Sequence, residues 1–457
     1  MSERIVVVGG GISGLAAAHE LHTRGRDFVL LEASDRLGGK IDSGPVPGSG
    51  LRFEVDTAAD GFLARQPEAT ELCVELGLGD ELVSPTAARA FVWVDGALRP
   101  IPGPSVLGVP FEADSVRASG IVDEEGLADF TARIDQPAPP LEGDASVGEV
   151  LRPRVGDQVF ERLVDPLLGG INAGDADRLS IAAGAAQLAD AARVGGSLRD
   201  ALRSQVAESL AAAAGPVFNG IRGGNRRIVD ALAEELGDRV RTGVAVGAVD
   251  RDGAGWRVRA DGVALDAAGV VLAGPAWVTA GLLTPHAPRA AETLDALDYG
   301  SAVLVTFVVD RGRIDHDLDG SGFLVPRGQG LLMTACSWSS SKWAHYDDGT
   351  HAVLRVSAGR TDDPRWLSLD DDTLVATLRR ELAATIGMRG EPVVRVTPWR
   401  RSLPQYRPGH LDRCDRIDAE LAASAPGLVA TGAQMRGLGL PACVRQGRAA
   451  VASLCAS

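Results

Sequence analysis

The sequence predicts an α/β protein built on a Rossmann-type parallel sheet, with a mixed-sheet second domain and a helical insertion. Three observations carry this. Near the N-terminus IVVV, GGGISG, LAAAHELHTRG and FVLLEA read as strand, glycine turn, helix and strand over residues 4–33, a complete βαβ unit. Near the other end GLVATGAQMRGLGLPACVRQGRAAVASL repeats that order with a strand, a glycine turn and an Ala-rich helix. Between them the composition turns helical over 104–214 and then returns to strand patterns.

Taken in order, the first unit is followed by a Gly/Pro-rich stretch with a short strand near 51–55, then a helix over 68–76. FVWVDGALRPIP reads as a hairpin, because Asp95-Gly96 between two apolar runs suits a tight turn. After the helical stretch, GIRGGNRRIVDALAEELG opens another helix, and VRTGVAVGAVDRDGAGWRVRA with VALDAAGVVLAG supplies alternating strands. AVLVTFVVD and HAVLRVSAG add further strands. The expected domains are therefore discontinuous: 1–85, 215–285 and 395–457 form the dinucleotide-binding domain, 86–103 and 286–394 the substrate domain, and 104–214 the insertion.

The 457 residues, 45% of them hydrophobic, can bury a large core. A formal charge of −15 argues against nucleic acid or an anionic membrane surface as the main partner. Cys73, Cys336, Cys414, Cys443 and Cys455 form no CxxC pair, so neither a disulfide framework nor a zinc site is expected, and a reducing cytoplasm fits. No stretch approaches the roughly 20 apolar residues of a membrane span. The Ala-rich segment 181–214 is broken by Asp190, Arg193, Arg199, Asp200 and Glu208, so no stable membrane insertion is expected.

Gly9-x-Gly11-x-x-Gly14 carries the first site. Gly9 permits the tight turn, Gly11 lets a pyrophosphate approach the backbone, and Gly14 allows close helix-to-strand packing. The helix that starts near Ile12 aims its dipole and free N–H groups at the phosphates. Glu32 closes the second strand 18 residues after Gly14. A carboxylate there accepts from ribose hydroxyls and repels a 2′-phosphate, which disfavours NADP. Arg36, Gly38, Gly39 and Lys40 then add a charged wall, which suits a flavin that stays better than a nicotinamide that leaves.

GGGISGLAAAHEL with LLEASDRLGGKI resembles the FAD-binding start of the flavin amine oxidase superfamily. DPLLGGINAGDADRLS, GIRGGNRRIVDAL, GSGFLVP, SSSKW, RSLPQYRPGHLDR and GLGLPACVRQGRAA together resemble the bacterial coproporphyrinogen III and protoporphyrinogen oxidases, over essentially the whole chain.

That resemblance implies non-covalent FAD in a two-dinucleotide-binding-domain flavoprotein. The cofactor would touch Gly9, Gly10, Gly11, Ile12, Ser13 and Gly14, then Glu32 and Ala33, then Arg36, Gly39 and Lys40. It would also touch Ala58, Ala59, Asp60 and Gly61, the backbone of Val246, and Leu438, Gly439, Leu440 and Pro441. A glycine turn opening the last helix agrees physically, since backbone donors there would stabilise reduced flavin.

The implied reaction removes six electrons from coproporphyrinogen III in three flavin reductions, each reversed by dioxygen with release of peroxide. Such chemistry asks mainly for orientation of a flat macrocycle. No catalytic acid, base or metal ligand is assigned, and His345 and His410 read as packed or surface histidines. Arg89, Arg65, Lys342 and Asn172 are the candidate substrate contacts, the three cations because the substrate carries propionates. A ferrochelatase is a candidate partner in haem synthesis.

Asn172, the Ala58-Ala59 pair, Met435 and Ala442 depart from residues usual in the family. Protoporphyrinogen IX as substrate, another amine oxidase or desaturase activity, and a non-catalytic flavoprotein are the alternatives. The helical insertion lacks the apolar face expected of a membrane-docked enzyme, which favours the coproporphyrinogen reading.

Overall fold

A computed structural model describes residues 3–87, 89–212 and 215–456. The ends of the expected domain segments at 1, 2, 213, 214 and 457 lie outside the described residues. The first unit forms as predicted: β1 is Ile5–Val8, α1 is Ile12–Thr23 and β2 is Phe28–Leu31. All eight strand residues are buried, as a parallel sheet covered on both faces requires.

Five parallel strands make this sheet, in the order Val240–Arg241, β2, β1, Gly269–Leu272 and Leu428–Ala430. Side chains alternate between faces. Ile5 and Val7 pack with α1, the helix Arg226–Leu236 and the C-terminal helix Leu440–Ala456. Val6 and Val8 pack instead on Trp256, Val258 and the helices Ala276–Leu283 and His410–Ser424. The C-terminal helix lies very close to α1, because a Cβ on Gly447 would stand 2.2 Å from the Ser13 carbonyl oxygen.

The second sheet has seven strands, in the order Val393–Pro404, Tyr299–Asp310, His351–Ala358, Met333–Trp338, Gly322–Leu324, Phe91–Val94 and Ala97–Pro100. The last two form the predicted hairpin, with Asp95 and Gly96 at φ 51° and 78°, the left-handed pair that a twisted two-residue turn needs.

Two segments fall on the other side of the expected boundaries. Residues 395–404, expected in the dinucleotide-binding domain, lie in the strand Val393–Pro404, which pairs with Tyr299–Asp310 in the second sheet. The helix Pro288–Asp295, expected in the substrate domain, buries Ala290, Ala291 and Leu294 in the first sheet's core. Local periodicity marks such elements but does not name the surface they cover.

The insertion opens with a small hairpin, Ser105–Val106 against Val109–Pro110, before its helices begin. Phe130, Leu151, Phe160, Leu163 and Leu188 then pack against Val92 and Val94 of the second sheet. Among the described residues no helix is long and apolar enough to cross a membrane.

Candidate functional site

In the first sheet the chain leaves β1 on one side and Gly269–Leu272 on the other, so strand order reverses between them. Open α/β sheets bind ligands in the crevice at such a point, beyond the C-terminal ends of the strands. Gly9 turns there with φ +108°, and a Cβ on Gly14 would lie 1.9 Å from the Gly9 carbonyl oxygen. Gly11 differs, because nothing stands within 4 Å of its Cβ direction. Gly11 is also the N-cap of α1 and offers no side-chain acceptor, and the first turn has no acidic residue. The leading N–H groups of α1 are thus left for an anion.

The basic turn folds directly over this one. Gly38 donates its N–H to the Gly10 carbonyl at 2.8 Å, and a Cβ on Gly39 would come within 3.3 Å of the Gly11 Cα. Arg36 is turned inward, with Nη2 donating to the Gly39 carbonyl at 2.7 Å and Nη1 to Leu37 at 3.3 Å, so it secures the turn itself. Lys40 is solvent-accessible, yet desolvation lowers its pKa with Cys443 nearby.

Glu32 accepts from the Gly10 N–H at 2.6 Å and from the Ser34 N–H and hydroxyl at 2.8 and 2.7 Å. A carboxylate offers about four acceptor positions, so receiving both ribose hydroxyls requires Ser34 to move. Ala33 beside it is exposed. Val244 donates to the Glu32 carbonyl at 2.9 Å, which brings the strand starting at Val246 alongside.

The loop 57–61 is held from several directions. The Ala58 carbonyl accepts from Arg355, that of Ala59 from Asn225 at 2.8 Å, and that of Thr57 from the Trp399 indole at 2.8 Å. A Cβ on Gly61 would meet the Asn219 carbonyl and the Trp343 ring, both at 2.9 Å. The Asp60 carboxylate lies 2.9 Å from Lys342 Nζ and 2.8 Å from Arg355 Nη1. Burial alone would raise the Asp60 pKa, but these two cations outweigh it and hold the carboxyl well below the usual range.

Arg355 was not singled out in the sequence. The signal available was one arginine in the apolar middle of the strand HAVLRVSA.

The C-terminal turn, Leu438 to Pro441, runs into the last helix. Gln446 reaches back to it, donating to the Gly437 carbonyl at 2.9 Å and accepting the Arg436 N–H at 2.6 Å. Cys443 of that helix neighbours both Ser13 and Lys40. The two glycine turns and the basic turn therefore gather on one space, although they lie some 400 residues apart in the chain. This donor set, an open glycine, a helix start without a side-chain cap and a lysine with no ion pair among the described residues, suits a dinucleotide phosphate.

The other candidates are more scattered. Arg89 makes a surface ion pair with Asp319 at 2.5 Å, its side chain 60% exposed, and Arg65 is exposed as well. Lys342 sits over Trp343, 5.1 Å from the ring centroid, and its charge faces Asp60. The buried Asn172 donates its amide to the Leu168 carbonyl at 2.8 Å, and its own carbonyl accepts from Gln405 at 2.8 Å. Met435 and Ala442 are both buried. No group of metal-ligating side chains occurs among the described residues.

His410 is a packed residue stacked on Tyr406, and its Nε2 lies 2.6 Å from the Met435 carbonyl, so that nitrogen carries the proton. Burial pushes its pKa down to about 4, and that of His345 to about 4 as well. A folded-state pKa below the unfolded value of about 6.5 means that the His410 contribution is complete above that pH and is lost as pH falls toward 4. We expect urea unfolding to give a lower stability at pH 5 than at pH 7, by roughly 1.4 kcal/mol per pH unit from this group, and His410→Gln to flatten that slope.

The model of the family described as flavin containing amine oxidoreductase matches residues 12–455. The chain belongs to this family. The chain is thus a flavin-dependent oxidoreductase. The chain is 31% identical over 462 residues to the coproporphyrinogen III oxidase of Bacillus subtilis (strain 168), covering 98% of this chain and 97% of that protein. It is 36% identical over 460 residues to the coproporphyrinogen III oxidase of Mycobacterium leprae, covering 99% and 98%. Protoporphyrinogen oxidase 1, chloroplastic, of Arabidopsis thaliana is 30% identical over 471 residues, covering 96% and 85%. Among solved structures, putrescine oxidase superimposes with a TM-score of 0.71 at 19% identity over 99% of both chains, a likeness of fold alone.

Proposed function

We propose that the protein is an FAD-dependent oxidase that converts coproporphyrinogen III to coproporphyrin III. The observation that carries this is full-length identity of 31% and 36% to two coproporphyrinogen III oxidases, together with a dinucleotide cradle at the expected turn. FAD binds non-covalently: the Gly9–Gly14 turn holds the pyrophosphate, Lys40 faces it, and Glu32 takes the ribose. Ala58 to Gly61, Val246 and Leu438 to Pro441 line the remainder.

Bound there, FAD supplies hydride acceptance from the substrate and return of the electrons to dioxygen. One porphyrinogen and three dioxygen give one porphyrin and three hydrogen peroxide, which balances six electrons and six protons. The chain's residues bind and orient. No side chain is assigned as acid or base, and the pyrrole protons leave to solvent.

Arg89 and Arg65 receive propionates, with Asn172 shaping the pocket, while Lys342 acts chiefly by holding Asp60. The protein works in the cytoplasm and hands its product to a ferrochelatase.

Anaerobic mixing tests the reading. Coproporphyrinogen III should bleach the flavin, and admission of oxygen should restore it with rising porphyrin fluorescence. Bleaching by protoporphyrinogen IX alone transfers the assignment to that substrate, and bleaching by neither overturns the oxidase reading.

A further inference from the structure

Where the insertion meets the second sheet, the segment 326–334 folds over a hollow of about 330 Å³, with room on the order of ten waters. Its wall holds Arg327, Arg360 and Arg365 beside Asp362 and Asp363. Two of the arginines are satisfied. Arg327 lies 2.8 Å from Asp165, contacts Asp362, and donates to the Gly174 carbonyl at 2.6 Å. Arg365 forms a two-pronged pair with Asp363, both bonds 2.7 Å.

Arg360 differs. It is 7% exposed, its Nε is buried without a hydrogen-bond partner, and Nη2 donates to the Val325 carbonyl. Among the described residues no carboxylate makes an ion pair with it, since Asp165, Asp362 and Asp363 face its neighbours. Burial lowers its pKa and repulsion by Arg327 adds to this, and the more distant charges of Asp165, Asp362 and Asp363 offset the two only in part. An unpaired buried guanidinium is costly, and its planar fork matches a carboxylate.

We propose that this hollow is a carboxylate-binding site in which Arg360, flanked by Arg365, receives one carboxylate. The inference does not rest on the porphyrinogen reading. Arg327 grips the Gly174 carbonyl, and the Thr361 N–H donates to that of Ala173 at 3.0 Å. The end of the helix Asp165–Asn172 is therefore tied to the wall of this hollow.

Thermal unfolding of the holoprotein in sodium propionate, against sodium chloride at equal ionic strength, tests the site. Propionate should raise Tm saturably and chloride should not. Arg365→Gln should weaken the response roughly tenfold, because it removes a flanking positive charge and leaves the Asp363 carboxylate without its cation to compete for Arg360. Asp362→Asn, which removes a competing carboxylate, should strengthen it, and Arg360→Gln should abolish it. A propionate response no larger than that of chloride, or one unchanged in both Arg365→Gln and Asp362→Asn, overturns the proposal. Given a propionate response, coproporphyrin III separates the sources. A rise in Tm sensitive to Arg365→Gln means that the site takes one arm of a large polycarboxylate, and an insensitive one means that it takes a free acid.

Discussion

Gly14→Ala should give a destabilised protein that holds flavin poorly, whereas Gly11→Ala should give a protein of unchanged stability with weakened flavin binding. The two glycines lie three residues apart in one motif, yet their surroundings separate them. A methyl added at Gly14 would stand 1.9 Å from the Gly9 carbonyl oxygen, a backbone atom that can move only if β1 or α1 moves. Overpacking of this kind costs about 1–3 kcal/mol, and more where no side chain can yield. At Gly11 nothing lies within 4 Å. Its φ of −70° is ordinary for alanine, so the new methyl meets only what binds there.

Denaturant unfolding should be compared on the apo forms, because bound flavin adds stability by mass action. Gly11→Ala should keep the wild-type midpoint and weaken flavin binding by tenfold or more, about 1.4 kcal/mol. Full flavin retention in Gly11→Ala would move the phosphates away from the opening of α1.

Asp60→Asn should be the most damaging single change in the loop 57–61. Neutralising Asp60 leaves Arg355, 4% exposed, and Lys342, 23% exposed, without their anion. Breaking a buried pair by removing one partner costs about 3–5 kcal/mol. Arg355→Met should cost more than Lys342→Met, because the lysine can turn to water and the arginine cannot.

The sign with pH is set by the depressed Asp60 pKa. Its stabilisation is complete above the unfolded value of about 3.9 and is lost as pH falls below it. Acid unfolding followed by tryptophan fluorescence should show this limb in the wild type and lack it in Asp60→Asn. A displaced flavin absorption band in Lys342→Met would show that the loop's position reaches the cofactor. An unchanged band would limit the pair to stability.

The turns that make up the proposed dinucleotide site were legible because their parts are local. A glycine turn between an apolar strand and an Ala-rich helix can be read in a short window, since turn, helix start and packing approach are all decided by neighbours in sequence. Glu32 was legible for the same reason, as its position follows from strand length.

The partners of charged residues were not legible. Arg36, expected to form a wall toward the phosphates, bonds the carbonyls of Leu37 and Gly39. Lys342, a candidate for the substrate, faces Asp60 across 282 residues of sequence. An arginine or lysine looks the same in sequence whether it meets a ligand, a carboxylate or water.

The sequence by itself determined the βαβ start, the hairpin at Asp95-Gly96, the α/β fold class and the flavoprotein family, all carried by short-range patterns or by motif order. Only the tertiary structure decided that the strand Val393–Pro404 and the helix Pro288–Asp295 change sides, that Arg355 holds the loop 57–61, and that Arg360 is buried with no ion pair among the described residues. The physical reason is the same in each case. Secondary structure follows from periodicity along the chain, whereas burial and charge pairing depend on which distant segments the fold brings together.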